Sequence, residues 1–355
     1  MSLGKSVPAI VHLGFSELTK MHVWMPLVKT GTGSEDYTRA LTDQLRQRGH
    51  TVTLDLVSHF FQYAPWLAPI RPPSTANVIL ANSWNAAAFT NLGLPTVSVC
   101  HLVIHDPRLA PYKSQVQSLF HRYFVLPMEK AAVRRATTNV AVSPLVARQM
   151  QRIFGARNVV TVNNGVDTNF FTPSEPPERA PGDPLKLLFV GKPSLRKGFD
   201  IATEIVNRLG DRATFTCAGQ EPSSDFPRPP GNYTGYLDKS VLRDAYRAAD
   251  ILLFPSRMEG LSLAVAEAMS CGLPILTCEG SAMDDFVDKD AGIVRSEDDI
   301  DGFMEDLESV IRQPERHARM RLATQKIASE QLSQNRWLDG IETVLHNSVT
   351  KFQDD

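Results

Sequence analysis

Short apolar runs recur along this chain, and between them the apolar positions switch to helical spacing. His22–Val28, Thr51–Val57, Val78–Ala81, Thr96–Cys100 and Asn139–Val142 are brief, rich in β-branched residues and bounded by Gly, Pro or Asn. That pattern predicts strands. Ser34–Arg48 and Val116–Arg135 predict helices between them. The second half repeats the rhythm. It predicts strands at Leu185–Val190, Thr214–Ala218, Ile251–Phe254 and Pro274–Thr277, and helices near Gly198–Leu209, Lys239–Ala249 and Leu261–Cys271. Glu305 to Phe352 reads as consecutive helices, with Trp337 the large residue of the last.

Strands alternating with helices imply βαβ units and parallel sheets. Near-continuous apolar strands such as Leu187-Leu188-Phe189-Val190 fit sheets covered on both faces. Two such series predict two doubly wound Rossmann-like α/β domains. A proline-rich stretch, Thr172 to Pro184, marks a stiff linker between them. The expected domains are 1–172 and 185–335, joined by 173–184. A final helix over 336–355 is expected to pack on the first domain, and residues 1–20 to be a leader or extension ahead of Met21.

At 355 residues the chain is long enough for two cores. Cys100, Cys217, Cys271 and Cys278 form no CxxC pair and sit in or beside apolar segments, so buried free thiols in a reducing compartment are expected. No stretch reaches the ~20 apolar residues of a membrane span. No signal-peptide pattern opens the chain, and a cytoplasmic location is the expectation. The net charge of −2 hides a split: residues 1–170 hold 16 Lys+Arg against 8 Asp+Glu, leaving 21 against 31 for the rest. A basic first half suits an anionic acceptor or an anionic membrane surface, or is surface drift between domains.

Four segments carry candidate chemistry, each where a predicted strand gives way to a loop or helix. Open α/β sheets bind ligands at that edge. The first, Lys29-Thr-Gly31-Thr-Gly33, opens a helix and allows close backbone approach to a phosphate or sugar, or is a tight turn. The second, Gly191-Lys192-Pro-Ser-Leu-Arg196-Lys197-Gly198, sets three cations beside a helix start and suits a diphosphate. The third runs from Pro255 through Glu259, Gly260, Leu261, Ser262, Leu263 and Glu267 to Gly272. Glu267 lies in a helix otherwise made for burial, where a carboxylate needs a partner. Treated as one helix, eight residues separate the two acids by roughly 12 Å, the span from a hexose across a diphosphate to a ribose. The fourth is His101, at the end of a strand, with His105 a turn later. On residue type alone, a histidine ending an apolar strand is usually a satisfied core residue.

These segments resemble the family 4 retaining glycosyltransferases of GT-B fold, over about residues 21 to 345. The Glu259-x7-Glu267 pattern followed by Ala-Met-Ser-Cys-Gly-Leu-Pro is the strongest match. Asn164-Gly165-Val166-Asp167 with Phe170, the loop Gly191 to Gly198, Ala249 to Ser256 and Gly235-Tyr236-Leu237 support it. The resemblance implies two domains facing across a cleft. It implies that Glu267 bonds the ribose and Lys197 the donor phosphates. Glu259 and amides of Gly260 to Leu263 would meet the transferred sugar. His101 would lie near the reacting carbon, Tyr236 and Leu237 near the base, and Gly31 and Gly33 in the cleft. Lys192 stands where the family commonly has arginine, keeping the charge but losing the bidentate fork. Residues 58–75 match nothing in the family.

The expected reaction is retaining transfer of a hexose-type sugar from a nucleotide-diphosphate donor to a glycan, lipid-linked or small-molecule acceptor, in cell-surface polysaccharide or lipopolysaccharide synthesis. Catalytic roles fall to His101, Lys192, Lys197 and Glu259. Donor contacts fall to Gly31, Gly33, Gly191, Arg196, Tyr236, Leu237, Gly260, Leu261, Ser262, Leu263 and Glu267. Neither Asp284-Asp285 nor Asp298-Asp299 follows a strand as a metal-holding DxD would, so no metal and no cofactor is expected. No nucleic-acid partner is expected. Peripheral contact with an anionic membrane is raised by Lys113, Arg122, Lys130, Arg134 and Arg135 interleaved with Phe120, Tyr123 and Phe124. A nucleotide-sugar epimerase or hydrolase, and a non-catalytic binder, are the alternatives.

Overall fold

A computed structural model describes residues 20–354, apart from 30, 32, 176–179, 181 and 224–225. The expected leader therefore lies outside the described residues except for Lys20, as does part of the linker. Twelve strands form two six-stranded sheets among the described residues. The first contains β1 (His22–Val28), β2 (Thr51–Val57), β3 (Val78–Asn82), β4 (Thr96–Cys100), β5 (Thr138–Ala141) and β6 (Val159–Thr161), in the order β2-β1-β3-β4-β5-β6. The second contains β7 (Leu185–Val190), β8 (Ala213–Ala218), β9 (Asn232–Gly235), β10 (Ile251–Phe254), β11 (Ile275–Cys278) and β12 (Gly292–Arg295), in the order β12-β11-β10-β7-β8-β9. β1 pairs in parallel with β2 and β3, and all five pairings of the second sheet are parallel. Each sheet thus reverses its strand order once, between β1 and β3 and between β7 and β10. Loops leaving the carboxyl ends of strands at such a point splay apart and leave room for a ligand.

The four inner strands of each sheet, together with the edge strand β2, are those whose apolar runs predicted them. β6, β9 and β12 are absent from the expectation. All three are edge strands of three or four residues with partly exposed positions, so no continuous apolar run announces them. Two helices also differ from expectation. The run predicted as Val116–Arg135 begins at Gln115, capped by the Ser114 hydroxyl, and widens into a π-turn over His121–Val125 before continuing as Leu126–Arg135. Pro127 supplies the reason, since its ring clashes with the carbonyl four residues back and forces the turn open. The helix expected over Leu261–Cys271 runs Leu263–Ser270. Glu259 therefore precedes the helix by four residues, and the roughly 12 Å helical separation of the two acids does not apply.

The chain divides into two compact units. One comprises the described residues up to Val99 with Ala131–Asn139 and Leu338 onward; the other comprises Cys100–Lys130 and Val140–Trp337. In the first unit, Trp24 is fully buried on β1, stacks edge-on to Phe89 and donates its indole N–H to Asp55 at 2.7 Å. The last helix, Gln334–Asp354, is tied to this unit from Leu338 onward. Arg48 donates to Asp339 and Glu342, both at 2.6 Å, His50 pairs with Glu342 at 3.0 Å, and Thr138 bonds Ser348 at 2.8 Å. Leu338, Ile341, Val344 and Leu345 bury the apolar stripe. In the second unit, Leu187, Phe189, Ile251 and Leu253 pack against helices Phe199–Leu209 and Ile300–Arg312. All four cysteines are buried and none is joined in a disulfide, as expected.

Candidate functional site

In the second unit, the loops after β7 and β10 lie at the switch point. β7 ends at Gly191, whose φ of +124° turns the chain sharply. The loop closes at Gly198, where any side chain would overlap the Pro255 carbonyl. Only glycine lets these two loops touch. The Arg196 carbonyl is held from below by the Arg257 amide at 3.0 Å and the Ser256 hydroxyl at 3.2 Å. Arg257 also clamps Asp200 through two bonds of 2.8 Å and donates to the Leu195 carbonyl. Residue type and spacing assign no role to Arg257; the structure shows it bracing the cation loop from within the segment that carries Glu259.

Three groups meet above that brace. Arg196 Nη1 donates to Glu259 Oε1 at 2.8 Å and to the Met258 carbonyl at 2.7 Å. Lys197 Nζ lies 3.6 Å from the same carboxylate oxygen and 5.4 Å from the centre of the Phe254 ring. Lys192 is exposed at the mouth of the loop. Glu259 thus stands as the counter-ion of two cations rather than as an unengaged sugar ligand. Gly260 follows, buried, and a Cβ added to it would overlap the His101 carbonyl oxygen. The backbone of this loop therefore rests directly on that of His101. Leu261 is buried, and its carbonyl accepts from Asn164 Nδ2 at 3.3 Å. Ser262 caps the helix Leu263–Ser270 by position, without a side-chain bond. The first amides of that helix point back along the loop, as at any helix start.

Glu267 lies one turn into the helix and accepts from the Tyr246 hydroxyl at 3.1 Å. Burial pushes its carboxyl up to about 7, although the Tyr246 bond and Lys239 oppose the rise. Burial and the nearby carboxylate raise the Tyr246 hydroxyl well above its ordinary value, so it remains a donor. Tyr246 is missing from the residues the sequence singles out; its place on the buried face of Lys239–Ala248 is the only signal. Tyr236, beyond β9, is 81% exposed, with Leu237 half-buried beside it.

His101 is only partly covered at its surface, yet the protein around it disfavours charge and holds its pKa at about 4. It is neutral near pH 7. His105 serves the fold instead, since its ring bonds Glu129 at 3.0 Å and both side chains are buried. Asp285 accepts from the Leu145 amide and Arg148, Asp284 from the Gly280 amide, and Asp299 caps the helix Ile300–Arg312. Gly31 and Gly33 belong to the first unit, at the end of β1. Gly31 has φ +62° and donates its amide to Glu35 at 3.1 Å, while Gly33 begins the helix Gly33–Gln47. An added Cβ would meet nothing within 4 Å at either glycine. Among the sequence-predicted residues, direct contacts bring together Gly191, Arg196, Lys197, Glu259, Gly260 and His101, and Leu261 to Glu267 continue from them along one segment.

Comparison with known proteins gives the same reading of the fold. The sequence profile described as Glycosyl transferases group 1 matches residues 184–313, and that described as Glycosyltransferase Family 4 matches residues 56–170. Sulfoquinovosyl transferase SQD2 of Arabidopsis thaliana is 27% identical over 49% of this chain and 40% of its own length. The chain matches its curated relatives over about half of their length, from 40% to 53%. Sucrose-phosphate synthase from Thermosynechococcus elongatus superposes with a TM-score of 0.72 at 15% identity, over 90% of this chain and 96% of that one. Anabaena HepE, solved in complex with UDP-glucose, gives a TM-score of 0.67 at 15% identity, over 94% and 99%. With two matched profiles, two switch-point sheets and the Glu259–Glu267 segment, the chain belongs to the family 4 glycosyltransferases of GT-B fold.

Proposed function

We propose that the protein transfers a hexose-type sugar, with retention of anomeric configuration, from a nucleotide-diphosphate sugar to a glycan, lipid-linked or small-molecule acceptor. The carrying observation is the cluster of Arg196, Lys197 and Glu259 at the switch point, followed within one segment by the buried Glu267–Tyr246 pair. A donor needs cations for its diphosphate and a carboxylate for its ribose hydroxyls. HepE, which shares the fold, has been solved with UDP-glucose, and this supports a nucleotide sugar as the ligand.

Cleaving the anomeric bond builds positive charge on the sugar and negative charge on the leaving phosphate. Lys197, Arg196, Lys192 and the amides from Gly260 onward would stabilise that negative charge, and preorganised donors of this kind are the main source of rate in such sites. The diphosphate would compete with Glu259 for Arg196 and Lys197. Glu259 is then released toward the sugar hydroxyls while the cations turn to phosphate. Neutral His101 is suited to hydrogen bonding near the reacting carbon without adding charge where positive charge develops. In this reading the departing phosphate takes the acceptor proton on the same face.

The reaction is proposed to need no metal and to occur in the cytoplasm, in cell-surface polysaccharide or lipopolysaccharide synthesis. Peripheral membrane contact is supported by the helical run from Gln115, where Val116, Leu119, Tyr123 and Phe124 are exposed beside Arg122. Lys113 is not part of that surface, since its ammonium turns inward to the Ile104 carbonyl. No helix among the described residues is long and apolar enough to cross a membrane. The test is transfer from a panel of nucleotide sugars in EDTA, with product anomers read by NMR. Lys197→Ala and Glu267→Ala should each lower turnover at least about 100-fold in folded protein. Wild-type rates in either variant, or inverted product, would overturn the assignment.

A further inference from the structure

Asp106 lies in the loop that leaves β4, five residues after His101, and no role in the reaction follows from its position in the sequence. Its carboxylate is 1% exposed. Oδ1 accepts from the Arg108 amide at 3.0 Å and from Arg108 Nε at 3.2 Å. Oδ2 accepts from Arg152 Nη2 at 2.7 Å, Gln149 Nε2 at 3.0 Å and Arg108 Nη2 at 3.4 Å. Burial alone would raise its pKa, but the Arg108 bonds and the charges of Arg108 and Arg152 outweigh that and leave it below the ordinary value. It is a fixed negative charge inside the second unit.

Gln149 is the partner that leads toward the Arg196–Glu259 cluster. Its amide nitrogen faces Asp106 and also lies 3.4 Å from Met258 Sδ, while its amide oxygen is buried with no hydrogen-bond partner among the described residues. A carboxylate accepts and cannot donate, so Asp106 selects the orientation that turns the nitrogen toward it, even at the expense of the oxygen. Met258 is fully buried. Its carbonyl accepts from the same Arg196 nitrogen that bonds Glu259, and the next residue but one, Gly260, is pressed against His101. The loop bearing Asp106 is anchored at its far side too, where Arg108 Nη1 donates to the Gly280 carbonyl at 2.7 Å.

We propose that Asp106 is a positioning residue for the donor site: through Gln149 it fixes Met258, and with it the register in which Glu259 and Gly260 meet the donor. The donor part rests on the function proposed above. The test combines methionine-methyl NMR with calorimetry of UDP binding to the full chain. In folded Asp106→Asn, the Met258 methyl resonance should move and the UDP dissociation constant should rise about tenfold. Gln149→Met should do the same, and in that background Asp106→Asn should add nothing further. A residue that only braces its own loop would lower the melting temperature and leave Met258 and UDP affinity untouched. That result, or a shifted methyl with unchanged affinity, overturns the proposal. Should Asp106→Asn fail to fold, Gln149→Met decides by the same two readouts. Failure of the wild type to bind UDP would count against uracil as the base alone, and the Met258 resonance still decides whether Asp106 sets that residue.

Discussion

Glu267 is the residue whose environment and role pull in opposite directions. Burial raises its carboxyl to about 7, whereas the proposed acceptance of two ribose hydroxyls favours the ionised form. A group whose folded pKa lies above its unfolded value stabilises the fold below the unfolded pKa, and this contribution is lost as pH rises through about 7. Glu267→Gln should therefore raise the melting temperature of the free protein at pH 8 and leave it unchanged at pH 4. The same variant should lose nucleotide affinity, and wild-type affinity should weaken as pH falls from 8 to 6. Affinity that strengthens on acidification would contradict the role. Gly260 gives a second residue-scale expectation. A Cβ has no room beside the His101 carbonyl, so Gly260→Ala must displace the loop. A shift of about 1 Å at the reacting atoms can cost about 100-fold, and kcat should fall accordingly in folded protein. Retained kcat would mean the loop can move without consequence.

At the scale of elements, the final helix and the middle strands are legible in the sequence for the same reason: their apolar residues repeat with one period over enough positions. The edge strands β6, β9 and β12 are not, because partial exposure breaks that period. The Glu267 helix starts two residues later than its apolar pattern suggests, since Leu261 is buried and apolar whether helical or not. Glycine-ended strands and clustered cations expose the candidate site, because phosphate chemistry demands those residue types. Arg257, Tyr246 and Asp106 stay hidden, because bracing depends on which loops the fold brings together. The last helix makes its own prediction. Glu342 is 5% exposed at its side chain and shared by Arg48 and His50. Burial opposes its ionisation, but the His50 and Arg48 bonds win and lower its pKa. Its contribution is present above the ordinary carboxylate range and is lost as pH falls through the lowered value. Glu342→Gln should cost about 2 kcal/mol in urea unfolding at pH 7, with the deficit fading below pH 4. An equal deficit at both pH values would assign the loss to packing.

For the whole molecule, residue types single out neither the base nor the acceptor of the proposed transfer. Charge is more informative. Its split along the chain and the exposed Tyr123 and Phe124 predict sedimentation with anionic vesicles at low salt, weakened by raising salt. Tyr123→Ser with Phe124→Ser should reduce that sedimentation severalfold without lowering stability. The central claim, that the second unit holds a nucleotide-sugar site, is tested most directly by thermal shift with UDP, GDP, ADP and their common sugar conjugates in EDTA. A ligand at 100 times its dissociation constant adds about 2.7 kcal/mol to stability. One base should raise the melting temperature of the wild type clearly, and Glu267→Ala should remove the rise. No shift with any of them, in well-folded protein, would contradict the site.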